Sequence, residues 1–255
     1  MFKTGMLAAA LVLAASQADS AELKFLVGGS MQEPFKEIGA VYAKKTGNTI
    51  EFTVDTTGAL LNKLKSGAPA DLILVSAPAM QGLIKENRVM ANTKTDLARA
   101  SIGVSVKAGA GAASPDISSQ DAFKKAILAA RKVSYVNPEA GGTSGTYMDG
   151  LFKKMGIADQ VRAKVVWGYQ GSQVAAAVAK GDADLGITFI SEMAPNKGVK
   201  IVGPLPDSIQ SATVYAAAIP NGAKNADAAR AFLAMMTGPE GTAAIAHSNL
   251  EPIAH

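Results

Sequence analysis

Short apolar runs alternate with amphipathic stretches along most of this chain. Residues 23–27, LKFLV, form a compact apolar strand that ends in Gly28-Gly29-Ser30. Phe35, Ile38, Val41 and Tyr42 then recur at spacings of three and four, which predicts a helix with one buried face. Thr46-Gly47-Asn48 stops that helix, and residues 50–54 give a second strand. Asp55-Thr56-Thr57-Gly58 leads into a helix carrying Leu60, Leu61 and Leu64, and Pro69-Ala70-Asp71 precedes a third strand at 72–75. This order of strand, helix, strand, helix, strand predicts a parallel sheet with helices on its faces.

Residues 85–99 are polar and show no clear period. The pattern then resumes, with a strand at 101–106, a loose Ala/Gly turn at 109–115, and a helix at 121–132 carrying Phe123, Ile127 and Leu128. A strand at 133–136 feeds residues 137–152, NPEAGGTSGTYMDGLF, whose second half reads as a helix running to about Met155. Next come a strand at 165–167, the polar loop GYQGSQ at 168–173, an alanine-rich helix at 174–180 and a buried-type strand, LGITFI, at 185–190. Residues 201–202 add an edge strand. Residues 212–219 form the last strand, 226–236 an apolar helix, and a final helix runs from Pro239 through Ile245. The tail 248–255 is expected to be weakly structured. Residues 100–210 thus read as a second unit of the same α/β kind.

In parallel sheets, ligands sit beyond the carboxyl ends of the strands. Ser30, Thr56 and Thr57 lie there, each at a helix start, and so does the run Gly141-Gly142-Thr143-Ser144-Gly145. Amides in a first helical turn have no internal acceptor and carry partial positive charge, so glycines and hydroxyls around them suit a small anion. Each loop alone also matches an ordinary helix cap. Several on one edge point to a site.

Composition narrows the classes. The chain has 255 residues, 48% hydrophobic and 18% charged, the balance of a globular protein. Its net charge of +4 is spread without a basic run, and aromatics are 5%, so nucleic acid is not an expected partner. Lys3, the apolar run 6–15 and the small residues Ser16, Ala18, Ser20 and Ala21 make residues 1–21 a secretory signal peptide, cut after Ala18 or Ala21. There is no Cys, hence no disulfide framework and no lipid-anchor cysteine, and a free periplasmic protein is expected. HExxH, GxSxG and paired histidines are all missing, so no metal, cofactor or nucleophile is expected.

Six stretches carry a family likeness: VGGS at 27–30, SGAPADL at 66–72, GGTSGTY at 141–147, GDADLGITF at 181–189, GVKIVGPLP at 198–206 and AFLAMMTGPEG at 231–241. Over nearly its whole mature length the chain resembles bacterial extracytoplasmic solute-binding proteins of the molybdate-binding kind. The resemblance implies a two-lobed α/β clamshell of the type II periplasmic-binding fold, each lobe a mixed, mostly parallel sheet flanked by helices. Lobe one would hold residues 22–98 and 214–255, and lobe two residues 99–213, with crossings near 99–101 and 211–214. The family's oxyanion contacts fall on Ser30 and Thr57 in the first lobe and on Ser144, Gly171 and Phe189 in the second. Phe189 departs from the tyrosine typical of molybdate binders, which removes one donor. Thr143, Gly145 and Ser172 extend a roomy polar wall that points toward a di- or tricarboxylate, with a tetrahedral oxyanion such as molybdate as the other ligand class. The implied partners are the small anion and an inner-membrane ABC permease, and a monomer is expected.

A bacterial aconitate isomerase also looks like this family, which makes a 1,3-proton shift the alternative to simple binding. That reaction needs a base near the allylic carbon and anchors for three carboxylates. Glu33, Asp55, Glu139, Tyr147, Asp149 and Glu192 flank the loops, each expected as a solvated face or a cap, and His247 and His255 fall near the C-terminus. Arg99, close to the implied hinge, is the best single carboxylate clamp. No base stands out, so the reading favours binding over turnover.

Overall fold

The computed structural model describes residues 20–109, 111 and 114–255. The expected signal peptide therefore lies, but for its last two residues, outside the described residues. Strands β1 (Glu22–Gly28), β2 (Thr49–Asp55) and β3 (Leu72–Ser76) run parallel, crossed over by helices α1 (Gln32–Thr46) and α2 (Thr57–Lys65). Every residue of β3 is buried, as expected of a strand covered on both faces, whereas β2 at the sheet edge has no fully buried residue.

Helix α3 (Ala77–Lys85), which the apolar pattern did not single out, follows, and then strand β4 (Thr95–Ala100), mostly within the polar stretch 85–99. Strand β4 is strand-like only in context. It lies against β10 (Thr213–Ala218), which buries Leu97, Ala98 and Ala100 while Arg99 stays outside. Strand β10 is antiparallel to both β3 and β4, and β11 (Glu251–Pro252) pairs with the free edge of β4. The tail thus contributes a strand, contrary to the expectation of weak structure. The sheet order is β11-β4-β10-β3-β1-β2.

A second sheet holds β5 (Ile102–Lys107), β6 (Val133–Val136), β7 (Val165–Gly168), β8 (Leu185–Phe189) and β9 (Val199–Pro204) in the order β7-β6-β8-β5-β9. Strands β7, β6 and β8 are parallel, and β5 is antiparallel to β8 and β9. Its helices are α4 (Gln120–Ala129), α5 (Thr143–Lys154), α6 (Ala158–Arg162), α7 (Gly171–Lys180) and the short α8 (Ile190–Met193). Both sheets share one plan, three parallel strands followed by an antiparallel strand. In each case the antiparallel strand, β10 or β5, is the one that arrives from the other half of the chain. At the β4–β5 crossing, the side-chain amide of Gln210 grips Ile102 twice, accepting from its amide at 3.2 Å and donating to its carbonyl at 2.8 Å.

The C-terminal helices α9 (Ala226–Thr237) and α10 (Pro239–His247) return to the first sheet. The ring of Phe232 sits 4.8 Å from that of Phe25, 5.4 Å from Phe35 and 5.6 Å from Tyr42, and burying each such ring contributes roughly 1.5–3 kcal/mol. Asp71, the acid of the SGAPADL stretch, accepts from the amides of Lys24 at 3.0 Å and Asn225 at 2.8 Å. It ties the start of β1 to the returning C-terminal segment and has no part in the cleft.

Candidate functional site

The carboxyl ends of the two parallel trios face each other, and their loops touch. The Gly58 amide donates to the Gly141 carbonyl at 3.1 Å, and the Thr56 hydroxyl donates to the Ala140 carbonyl. The side-chain amide of Gln170 reaches Val54 O and Asp55 Oδ1, each at 3.4 Å. A Cβ on Gly58 would lie 2.9 Å from Gly141 Cα, so only a glycine pair permits this approach. The cleft is closed.

Between the loops lies a partly open cavity of about 20 Å³, room for one water-sized group. Its wall includes Thr57 from the first half and Thr143, Ser144, Gly171, Phe189 and Glu192 from the second, with Tyr215 of β10. No Lys, Arg or His lines it. Thr57 and Thr143 are the first residues of α2 and α5, and both hydroxyl oxygens are shielded from solvent without a hydrogen-bond partner. A buried hydroxyl left unpaired costs about 1–3 kcal/mol, so two of them aimed at one cavity mark a place where polar atoms of a ligand belong.

Behind these donors stands a relay of hydroxyls. Ser144 Oγ lies 3.0 Å from Thr188 Oγ1, and Thr188 donates to Glu192 Oε2 at 2.9 Å. Since Thr188 spends its proton on Glu192, Ser144 donates to Thr188, which leaves the Ser144 hydroxyl no proton for the cavity. The Gly171 amide also donates to the Glu192 carboxyl. Space for that carboxyl is made by two glycines: a Cβ on Gly29 would come within 2.5 Å of Glu192 Oε1, and one on Gly171 would collide with Oε2. Glu192 retains some access through the cavities on either side, yet burial pushes its carboxyl up to about 7, opposed by the bonds from Thr188 and Gly171. Burial, followed by the Glu192 charge, also holds the Tyr215 phenol well above its ordinary value, against the opposing Ser30 and Thr143 hydroxyls, so Tyr215 is a permanent donor. Ser30 is buried and donates to Tyr215 Oη at 3.3 Å, while Thr143 lies close to it but outside hydrogen-bonding geometry.

Residues 23–248 match the family described as bacterial extracellular solute-binding protein. The chain belongs to that family. An aconitate isomerase from Pseudomonas sp. is 32% identical over 237 residues, covering 91% of this chain and 88% of the relative. The molybdate-binding protein ModA of Azotobacter vinelandii is 26% identical over 241 residues, with 91% of each chain covered. A solved structure of the periplasmic molybdate-binding protein of Azotobacter vinelandii superposes with a TM-score of 0.73 at 20% identity, covering 89% of this chain and 98% of the other. That likeness confirms the two-lobed α/β fold.

Within this solute-binding protein, several expected site residues lie elsewhere. Arg99 is on the solvent face of β4, paired with Glu251 at 2.7 Å, because the alternation of the strand points it away from the sheet interior. Ser172 is exposed on the far side of Glu192. Gly145 does not line the cavity; a Cβ there would strike the Val136 carbonyl, so its glycine lets α5 settle onto β6. Ser30 supports Tyr215 from behind. Phe189 packs edge-on against Tyr215, ring centroids 6.0 Å apart, and Tyr215, from the other sheet, brings a phenol to the same cavity.

Glu192 overturns its expected role as a solvated face or cap. The signal for it was available: it follows β8 at the same carboxyl edge that singled out Ser30. Tyr215 was hidden inside the apolar run TVYAAA. Of the other flanking groups, Asp149 is drawn away by ion pairs to Lys153 at 2.7 Å and Arg162 at 3.0 Å, and Tyr147 donates to the Ile209 carbonyl at 2.7 Å. His247 and His255 are exposed, away from the cavity. Among the described residues, no group of three or more His, Asp or Glu is placed to hold a metal ion, and no helix is long and apolar enough to cross a membrane.

Proposed function

We propose that this solute-binding protein takes a small anion between lobes formed by residues 22–98 with 214–255 and by residues 99–213, a di- or tricarboxylate in preference to a fully deprotonated tetrahedral oxyanion. The observation that carries this reading is the pair of unpartnered hydroxyls, Thr57 from one lobe and Thr143 from the other, meeting in one cavity. Closure would replace the ligand's water with these hydroxyls, the Tyr215 phenol and the open amides at the start of α5. The carboxylate preference now rests on Glu192 instead of on Phe189, since a carboxyl in the wall repels a bare dianion and accepts a ligand hydroxyl or a shared proton. The cavity as it stands has room for one water-sized group, so a di- or tricarboxylate would part the Gly58–Gly141 contact to bind. The protein would work in the periplasm as a monomer that hands its ligand to an inner-membrane ABC permease.

A thermal-shift panel of molybdate, tungstate, sulfate, phosphate, citrate, tricarballylate and both aconitates tests this. A ligand present at about a hundred times its Kd stabilises by about 2.7 kcal/mol, a rise of roughly 5–10 °C for a chain of this size. The carboxylates are expected to give it. If molybdate and tungstate alone raise the melting temperature, the carboxylate preference is wrong.

A second reading, isomerisation of aconitate, is favoured by Glu192 and by the identity with the Pseudomonas isomerase. A carboxylate titrating near neutrality can take the proton from the allylic carbon as the double bond moves, and return it to the other end of the three-carbon unit, with no net gain or loss of atoms. Incubating the protein with trans-aconitate and following the cis isomer decides between the readings. No conversion at high protein concentration leaves binding alone.

A further inference from the structure

Glu192 stands between two spaces. On one side is the cleft cavity. On the other is a chamber of about 80 Å³ that shares Gly29, Gln170 and Glu192 with it and is otherwise lined by Gln32, Glu33, Ser172, Ser191 and Pro195. The Ser191 hydroxyl is buried there without a partner. Through Glu33, Ser191 and Pro195 the chamber adjoins an open basin of about 540 Å³ on the surface. The Glu192 carboxyl therefore has a polar route to solvent that does not pass through the cleft. Its own surroundings are built for a carboxyl, with glycines at 29 and 171 making the space and Thr188 and the Gly171 amide holding it.

This geometry puts a carboxyl at the start of α7, where a helix-start amide would otherwise meet the ligand. The titratable groups facing it are Tyr215 of β10, Asp55 at the end of β2 and Glu33 of α1; no cation lines either space, and Lys36, Lys197 and His247 stand only around the outer basin. An anion entering the cleft therefore meets Glu192 with no positive side chain to separate the two charges. We propose that Glu192 takes up one proton, through the chamber behind it, whenever an anion closes into the cleft, so that this site binds anion and proton together. The inference rests on the anion-binding reading above and names the group that sets which protonation state is bound. Burial, which raises the Glu192 carboxyl from 4.5 to about 7, puts the switch within the neutral range, and Thr188, by favouring the ionised form, limits how high it lies.

The test is calorimetric binding of citrate, tricarballylate, trans-aconitate and molybdate to the whole protein, in buffers of differing ionisation enthalpy, at about pH 6 and about pH 8.5. One proton taken up per ligand weakens binding about tenfold for each pH unit above the Glu192 pKa, roughly 30-fold across the upper part of this range. The Glu192→Gln variant is expected to show equal affinity at the two pH values and no buffer-dependent heat. Thr188→Val is expected to move the midpoint of the wild-type fall to higher pH, which a merely structural role would not do. Binding that is equally tight at both pH values in the wild type, or a fall retained in Glu192→Gln, overturns the proton coupling and leaves the anion reading standing. Absence of binding by every probe at both pH values overturns the two together.

Discussion

The starts of α5 and α7 reach the cleft from the same lobe, at the ends of neighbouring strands β6 and β7, and they meet it in different states. At α5 the Thr143 hydroxyl is unpaired and the amides of the first turn have no acceptor inside the helix. At α7 the Gly171 amide already donates to the carboxyl of Glu192. The sequences GGTSGT and GYQGSQ look alike as glycine-containing loops before a helix. One residue from a third element, α8, makes them unequal. A helix start is open to an anion only where no acid of the protein has reached it first.

The sharpest way to test this inequality is to add one methyl group to each start. In Gly145→Ala the new Cβ meets the Val136 carbonyl, a backbone atom that cannot move aside. Overpacking of that kind is expected to destabilise the protein by about 3 kcal/mol, lowering the melting temperature by roughly 6–12 °C. In Gly171→Ala the Cβ meets the Glu192 side chain, whose carboxyl can swing toward the chamber behind it while its Cβ, at 2.8 Å, must give by a few tenths of an ångström. About 1 kcal/mol of stability is expected to go there. Equal melting temperatures for the two variants would show that Glu192 is as fixed as the backbone.

The next effect concerns the acid itself. The Glu192 pKa is raised from 4.5 to about 7 in the folded protein, so between those values the native state holds more proton than the unfolded chain. Stability is therefore fullest below about pH 4.5, declines as pH rises to about 7, and is level beyond. Glu192→Gln has no such decline. Its stability advantage over the wild type is expected to grow across that window to on the order of 2 kcal/mol, after allowing for water in the spaces beside the carboxyl. Denaturant titrations of both proteins at several pH values check this. A constant difference would mean that Glu192 does not ionise within the window.

Smaller still, and opposite in sign for two properties, is the effect of the open start. Thr143→Val removes a buried hydroxyl that has no partner among the protein's own groups. Free-protein stability is expected to rise by about 1 kcal/mol, while affinity for the anion falls about tenfold. Thr57→Val should behave likewise from the facing lobe. A variant that loses affinity and stability together would show that the hydroxyl serves the fold.

These contrasts also explain what the sequence could and could not disclose. The parallel trios were legible because β1, β3, β6 and β8 are short, apolar and bounded by turns, and because Phe35, Ile38 and Tyr42 keep helical spacing. Strand β4 was not, since Thr95 to Ala100 is held by β10 from more than a hundred residues away, a contact with no local signature. Thr57 and Thr143 could be picked out from their place at the carboxyl ends of strands. Glu192 obeys the same rule, yet its charge on a short helix reads as a solvated face or cap unless the glycines opposite it are known. Tyr215 depends on the same long-range pairing as β4. It completes the wall from a strand that looks like plain core.

Arg99 supplies the smallest expected effect and the control for all the others. It shares strand β4 with buried Leu97 and Ala98 but points to solvent, with its guanidinium on Glu251 and more than two fifths of its side chain exposed at 44%. Exposed pairs of this kind contribute about 0–1 kcal/mol, and this one pins the two-residue strand β11 to the edge of the sheet. Arg99→Ala is therefore expected to lower stability by less than about 1 kcal/mol, to vanish as a difference at high salt, and to leave anion affinity unchanged at every pH. The same binding measurements that follow Glu192 and Thr143 read it directly. Were Arg99→Ala to weaken carboxylate binding as much as Thr143→Val does, the anion would have to lie against the outer face of β4, and the open start of α5 would lose its claim to the ligand.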